Sequence, residues 1–383
     1  MKKKKIITII GARPQIIKSS ALSRAIRTKF HAEIEELIVH TGQHYDENMS
    51  EVFFEEMQIP KPNFNLNVGS GNHGAQTAKM IVGLEKIFVD EKPDAVIVYG
   101  DTNSTIAGGL TAAKIHIPVV HIEAGLRSFN KAMPEELNRI ACDHFSTLLF
   151  TPTSSGLENL RKEGFSLEIH KKATINHPNI YHCGDIMYDN SMYFSKISDE
   201  NATILEKNQL DKEGYVLCTI HRDSNTDIPA NLNAIFNALL EISEKSQLKI
   251  VLPIHPRTKV KMEALLTSDL LQKIKSSSKM LIIPPAGFID IIALEKNARI
   301  VITDSGGLQK ESFFFQKPCI ILREQTEWVE IVENGNALLV GSNYEKIVQA
   351  FETLINKTNF TFPSFYGDGS AASFICKKIL EDI

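Results

Sequence analysis

No stretch of this sequence approaches the roughly 20 consecutive apolar residues that span a bilayer, so no transmembrane helix is expected. The opening MKKKK resembles the charged start of a signal peptide, but the apolar run behind it is only IITII. That is too short for a leader and reads as a first buried strand. Cysteine is scarce, with five in 383 residues, at 142, 183, 218, 319 and 376, and no CxxC spacing. An odd, scattered set argues against a disulfide framework and a zinc site, and for a reducing compartment such as the cytoplasm. Charge of one sign is also lacking: 42 Lys and Arg stand against 46 Asp and Glu, a net charge of −4, so nothing draws the chain to nucleic acid or an anionic membrane. The glycine-rich run Gly69-Ser70-Gly71-Asn72-His73-Gly74 lacks the GxxxxGK[ST] pattern of a nucleotide phosphate loop.

What is present is a globular composition, 43% hydrophobic and 23% charged, long enough for two domains with a core each. The stretch from Asp94 to Arg139 organises the rest. Its apolar runs AVIVY and IPVVHI have the β-branched content of strands buried on both faces. A helix over 102–114 between them makes a unit with parallel strands. Gly100-Asp101-Thr102 follows the first strand and Glu123-Ala124-Gly125-Leu126-Arg127 the second, with Glu135-Glu136 a loop's length further on. Ligands of open α/β sheets sit beyond the carboxyl ends of strands. Three carboxylates aimed at that edge suggest proton transfer.

The same pattern recurs along the chain. Strands are expected at 6–10, 36–41, 95–99, 117–122, 146–150 and 179–183, then at 215–220, 249–254, 280–283, 300–303, 319–322 and 337–340. Helices alternate with them, among them 13–29, 47–57, 75–91 and 228–245. The expected fold class is therefore α/β, with two Rossmann-like domains facing a central cleft. Residues 1–185 form the first and 186–365 the second, and a closing helix within 366–383 is free to pack back on the first.

Several strand ends carry candidate groups. Arg13 and Lys18 stand near the start of the first helix, either as an anion clamp or as solvated basic residues. His221, directly after strand 215–220, is placed to donate to a phosphate or act as an acid, or else to serve its loop. His255, in the next such loop, fits a structural role better. The most specific local signal is Thr303-Asp304-Ser305-Gly306-Gly307-Leu308-Gln309-Lys310-Glu311. Ser305 can cap a helix, Gly306 and Gly307 let a ligand approach the backbone, and the helix dipole favours a diphosphate without a metal. Glu311, about a turn and a half in, can accept both hydroxyls of a ribose. Phe288 can flank a flat base or belong to the core. Trp328, the only tryptophan, lies in Glu324-Gln325-Thr326-Glu327-Trp328.

Taken together, GARP with Lys18, Gly100-Asp101-Thr102, HIEAGLR at 121–127, Pro134-Glu135-Glu136 with Asn138-Arg139, His221-Arg222 and Asp304-Ser305-Gly306-Gly307 resemble the UDP-N-acetylglucosamine 2-epimerase family, in order and over nearly the whole chain. The resemblance implies a glycosyltransferase-B-like fold, a UDP-sugar substrate, no metal or other cofactor, and a homodimer. It implies interconversion of UDP-GlcNAc and UDP-ManNAc by elimination and re-addition of UDP. Hydrolysing epimerases and glycosyltransferases of the same fold are the alternatives. On this likeness Asp101, Glu123 and Glu135 are the acid/base carboxylates and His221 stabilises the departing diphosphate with Arg13 and Lys18. Ser305, Gly306 and Gly307 hold phosphates and Glu311 the ribose. Gln15 departs from the family's usual Glu, and Trp328-Val329-Glu330 from its Arg-Pro-Glu. These features resemble a branch acting on UDP-2,3-diacetamido-2,3-dideoxyglucuronate. That sugar's carboxylate calls for a further cation, with Arg127, Arg139 and Arg222 as the available ones.

Overall fold

A computed structural model describes residues 2–43 and 57–383. The helix expected at 47–57, and with it His44, Tyr45 and Asp46, falls almost wholly outside the described residues. Contacts divide the chain into two units, Met1–Asn190 with Ser364–Ile383, and Ser191–Pro363.

The first unit is built on β1 (Lys4–Ile10), β2 (Ile34–His40), β3 (Phe64–Asn65), β4 (Ala95–Tyr99), β5 (Val119–Ile122), β6 (Leu148–Thr151) and β7 (Asn179–His182). They pair in parallel in the order β3-β2-β1-β4-β5-β6-β7. Successive side chains of a strand point to opposite faces, and the continuous apolar runs serve both. On one face Ile6, Ile97, Tyr99, Val120 and Ile122 pack with Leu22 and Ile26. On the other Ile7, Ile9, Val96 and Val98 pack with Met80, Leu84 and Phe88 of the helix His73–Glu91, and with Ala107 of the helix Asn103–Lys114. β3 was not foreseen; two residues carry no periodicity to read.

The closing helix, Ala371–Asp382, belongs to this unit. Ile375, Cys376 and Ile379 sit in the cluster with Ile6 and Leu22. Asp189 accepts from the amides of Ala371 (3.1 Å) and Ala372 (2.8 Å), and Asp382 accepts from Tyr181 Oη at 2.6 Å.

The second unit repeats the plan with β8 (Tyr215–Thr219), β9 (Lys249–Pro253), β10 (Met280–Ile283), β11 (Ile300–Thr303), β12 (Cys319–Ile321) and β13 (Ala337–Leu339). All are parallel, in the order β10-β9-β8-β11-β12-β13. In each sheet the strand order reverses once, between β1 and β4 and between β8 and β11. Such a switch point is where an open α/β sheet binds ligands.

Ile375 is fully buried, so its replacement by alanine leaves a cavity that the neighbouring strands cannot fill. Ile375→Ala is expected to destabilise the first unit by about 2–5 kcal/mol. An unchanged unfolding midpoint in urea would show that the closing helix adds little.

Candidate active site

The loops at the first switch point follow β1, β4 and β5. After β1, the buried Gln15 joins two of them: its Oε1 accepts from the amides of Gly11 (2.9 Å) and Ala12 (3.3 Å). Its Nε2 donates to Tyr99 O and Thr105 Oγ1, both at 3.0 Å. A Cβ at Gly11 would run into the hydroxyls of Thr41 and Ser104, so only glycine fits there. Pro14 lies in the first turn of the helix Arg13–Ala25, where its missing N–H is no loss. Arg13 is exposed at that turn.

β4 runs into Gly100 (φ +62°) and Asp101, and β5 into Glu123, which has φ +71° although it is not glycine. A left-handed residue of this kind stores about 1–3 kcal/mol of strain and persists where the surroundings fix it. Glu123 is ion-paired with Lys18, and Asp101 with Arg139. Asn138 Nδ2 also donates to Asp101 O at 2.9 Å. The two neighbouring glutamates of the helix Pro134–Phe145 part company. Glu136 turns inward, pairs with Arg139 at 2.7 Å and accepts from the amides of Ser128 and Phe129, each at 2.9 Å. Glu135 stays exposed, yet its charge reaches Asp101.

The electrostatics follow from this crowding. Burial raises the Asp101 carboxyl above its ordinary pKa; Arg139 and Lys18 pull it down, and Glu123 and Glu135 push it up again. Burial alone would depress Lys18, but Glu123 and Asp101 hold it above the usual lysine value. Glu123 and Glu135 thus both act on the charge of Asp101. Lys18, expected beside a diphosphate, is engaged with Glu123.

Two of the three cations proposed from sequence for a sugar carboxylate are not available. Arg127 is buried between Asp143 and Glu163, each at 2.7 Å, and Arg139 is held by Asp101 and Glu136. The third, Arg222, donates through Nε to Asp304 O at 3.0 Å.

In the second unit, His221 follows β8 and Asp304 follows β11. Asp304 is fully buried and accepts from His221 Nδ1 (2.8 Å), Arg222 N (3.0 Å) and Asn225 Nδ2 (3.0 Å). Burial would raise its pKa, but His221 and these donors outweigh burial and leave it below the ordinary value. Asp304 therefore orients the half-exposed His221 ring, a part that sequence reasoning did not give it.

Ser305 caps the helix Gly306–Phe314. A Cβ on Gly306 or Gly307 would meet nothing closer than 3.7 Å. The fold itself does not demand glycine at these positions; an approaching ligand would. The helix start is braced by Trp328, whose Nε1 donates to Gly306 O at 2.9 Å beneath the Lys310 ammonium, 4.0 Å from the ring. Arg323 and Glu327 form a two-pronged pair, both bonds 3.0 Å. Glu311 is buried in the same helix.

His255 and Phe288 have other surroundings. His255 is exposed and caps the helix Pro256–Leu265, accepting from Arg257 N at 3.3 Å. Phe288 is buried with its ring edge-on to Phe194. Among the described residues, no group of three or more His, Cys, Asp or Glu stands together to hold a metal ion, and no helix is long and apolar enough to cross a membrane.

Two doubly wound units with acids at one strand edge and a glycine-flanked helix start at the other define an α/β enzyme of the glycosyltransferase-B-like type. The family model described as UDP-N-acetylglucosamine 2-epimerase matches residues 27–380. A UDP-N-acetylglucosamine 2-epimerase homolog of Methanococcus maripaludis is 46% identical, covering 96% of this chain and 97% of its own. The UDP-2,3-diacetamido-2,3-dideoxy-D-glucuronate 2-epimerase of Pseudomonas aeruginosa is 43% identical, covering 98% and 99%. The crystal structure of Methanocaldococcus jannaschii UDP-GlcNAc 2-epimerase in complex with UDP-GlcNAc and UDP is 40% identical, with a TM-score of 0.81 and 99% of each chain covered. The chain belongs to the UDP-N-acetylglucosamine 2-epimerase family and is an enzyme of the isomerase class.

Replacing Gln15 by glutamate tests the amide that ties the β1 and β4 loops. One carboxylate oxygen would face Tyr99 O unless protonated, so the folded variant should bind that proton more tightly than the unfolded chain. The penalty should then grow as pH rises above the ordinary glutamate value of about 4.3. Gln15→Glu is expected to lose stability relative to the parent at pH 8 and to recover toward pH 5. A penalty equal at both would count against this account.

Proposed function

We propose that the protein is a non-hydrolysing 2-epimerase of a UDP-2-acetamido sugar. Its substrate pair is UDP-GlcNAc and UDP-ManNAc, or UDP-2,3-diacetamido-glucuronate and the corresponding mannuronate. The observation that carries this reading is the grouping of Asp101, paired with Arg139, and Glu123, paired with Lys18, near the β1/β4 switch point, with the exposed Glu135 close enough for its charge to reach Asp101. The relatives named for both substrates support it.

The reaction asks for these residue types. A carboxylate takes the C2 proton, the C–H electron pair becomes the C1–C2 double bond of a 2-acetamidoglucal, and the C1–O bond breaks with its electrons leaving on UDP. UDP then re-adds to C1 as a proton is delivered to the opposite face of C2. The C2 proton is weakly acidic, so a held base and stabilisation of the departing charge are both needed. Asp101, raised above its ordinary pKa, carries a proton at higher pH than a free carboxyl and suits an acid's part. His221, oriented by Asp304, and the amides at Gly306 and Gly307 serve the diphosphate, and Glu311 the ribose. Lys18 serves the acid set through Glu123, and Arg13 adds positive charge at the start of its helix. We read the enzyme as a cytoplasmic homodimer: family resemblance supports the dimer, and five free cysteines support a reducing compartment.

Proton NMR in D2O is the deciding measurement. Deuterium at C2 with two UDP-sugars at equilibrium is expected, and the faster of the two substrates identifies the branch. Release of free UDP and a reducing sugar would instead move the enzyme to the hydrolysing type. Asp101→Asn should abolish C2 exchange and keep UDP affinity; undiminished exchange would remove Asp101 from the chemistry. Glu311→Ala should weaken UDP binding about tenfold or more, since a charged hydrogen-bond acceptor is lost. Unaltered affinity by calorimetry would end its assignment to the ribose.

A further inference from the structure

Behind the acids lies a second layer of charge that the reaction does not use directly. His121, in β5, is fully buried, and both its ring nitrogens meet acceptors: Nδ1 is 2.7 Å from Asp143 Oδ1, and Nε2 is 2.8 Å from Gly100 O. A neutral imidazole has one N–H and can satisfy only one of them; the imidazolium satisfies both. The alternative, a protonated Asp143 donating to the ring, is disfavoured by Asp143's other partners. Its Oδ2 accepts from Gly125 N at 3.1 Å and pairs with Arg127 at 2.7 Å. Arg127 is anchored in turn by Glu163. Cys142 also faces the ring, from the helix Pro134–Phe145.

The ends of this chain of bonds fall beside the acids. Gly100 precedes Asp101, and Gly125 lies two residues after Glu123. We propose that His121 is a positioning residue: a lasting imidazolium that, with Asp143, fixes the Gly100–Asp101 loop after β4 against the Glu123–Gly125 loop after β5. The inference rests on the reading that Asp101 and Glu123 carry the chemistry. It accounts for the burial of a cation, an anion and a second cation in a row; against burial, Cys142 and then Asp143 raise His121 above the usual histidine range, and His121 and Arg127 hold Asp143 below the usual carboxylate range. Buried charges are tolerated when each is paired and hydrogen-bonded. A mere core histidine would need one bond, not two opposed ones.

Two measurements test it. In 15N-histidine-labelled wild-type protein, the His121 ring should show both nitrogens protonated at about pH 8.5, well above the ordinary histidine pKa of about 6.5. A neutral tautomer there would overturn the proposal. Second, His121→Gln can donate on one side only and should let the two loops drift. The expected result, taken per folded molecule, is a kcat for C2 exchange lower by about a hundredfold, with KM within about threefold and UDP affinity preserved. An unchanged kcat, or a loss that only tracks the unfolded fraction, would reduce His121 to a structural residue. If the variant does not fold, the wild-type spectrum decides. Absence of C2 exchange in the wild-type enzyme would count against the acid assignments instead, because the protonation state of His121 is read independently of turnover.

Discussion

A parallel strand cannot pair with its neighbour through a tight turn; the chain must first cross back over the sheet, usually as a helix. That constraint governs this protein. The thirteen strands among the described residues, in two all-parallel sheets, direct the strand-to-helix loops of a unit to one edge. Where the strand order reverses, helices leave for opposite faces and the loops between them part. The first unit gathers Arg13, Asp101 and Glu123 at such an edge, and the second gathers His221 with the Ser305–Gly307 turn. The apolar runs serve this purpose as much as they serve stability: strands buried on both faces hold their ends still.

Holding charges still in partial burial requires that each be matched. Glu123 has Lys18, Asp101 has Arg139, Asp143 has His121 and Arg127, and Asp304 has His221. These pairs contribute little to net stability compared with apolar side chains of the same volume, yet removing one partner from any of them is expensive. Their value is in orientation. The positive φ of Glu123 belongs with them, since the strain is sustained only because Lys18, the β5 register and the next glycine fix the residue.

Much of this was legible in the sequence. Both sets of six apolar runs matched strands because β-branched segments bounded by glycine and polar clusters admit few other conformations. The site motifs were legible as clusters because glycines and acids at strand ends have few structural duties. Partnership was not. Nothing in the spelling of PEE says that Glu136 turns inward and Glu135 outward; that depends on helix phase against a loop not yet placed. Nor does HIEAGLR reveal that Arg127 is spent on Asp143, sixteen residues on, so it was counted as a free cation. Asp304 was given no role of its own in its motif, although its side chain serves the loop after β8, the neighbouring strand in the sheet but three strands earlier in the chain. For His255 the loop position suited a structural role better than ligand contact, and its ring caps the next helix start.

Trp328 gives the enzyme a property that its family's arginine at this position would not. It is the only indole in the chain, it lies against the carbonyl of Gly306, and a lysine ammonium rests on its ring. An indole's emission depends on the local field, and here that field is set by a helix start and one cation. The protein thus carries an unlabelled optical reporter at its glycine turn, free of background from any other tryptophan. A change of charge at that turn would alter the light the chain emits, with no label needed to see it.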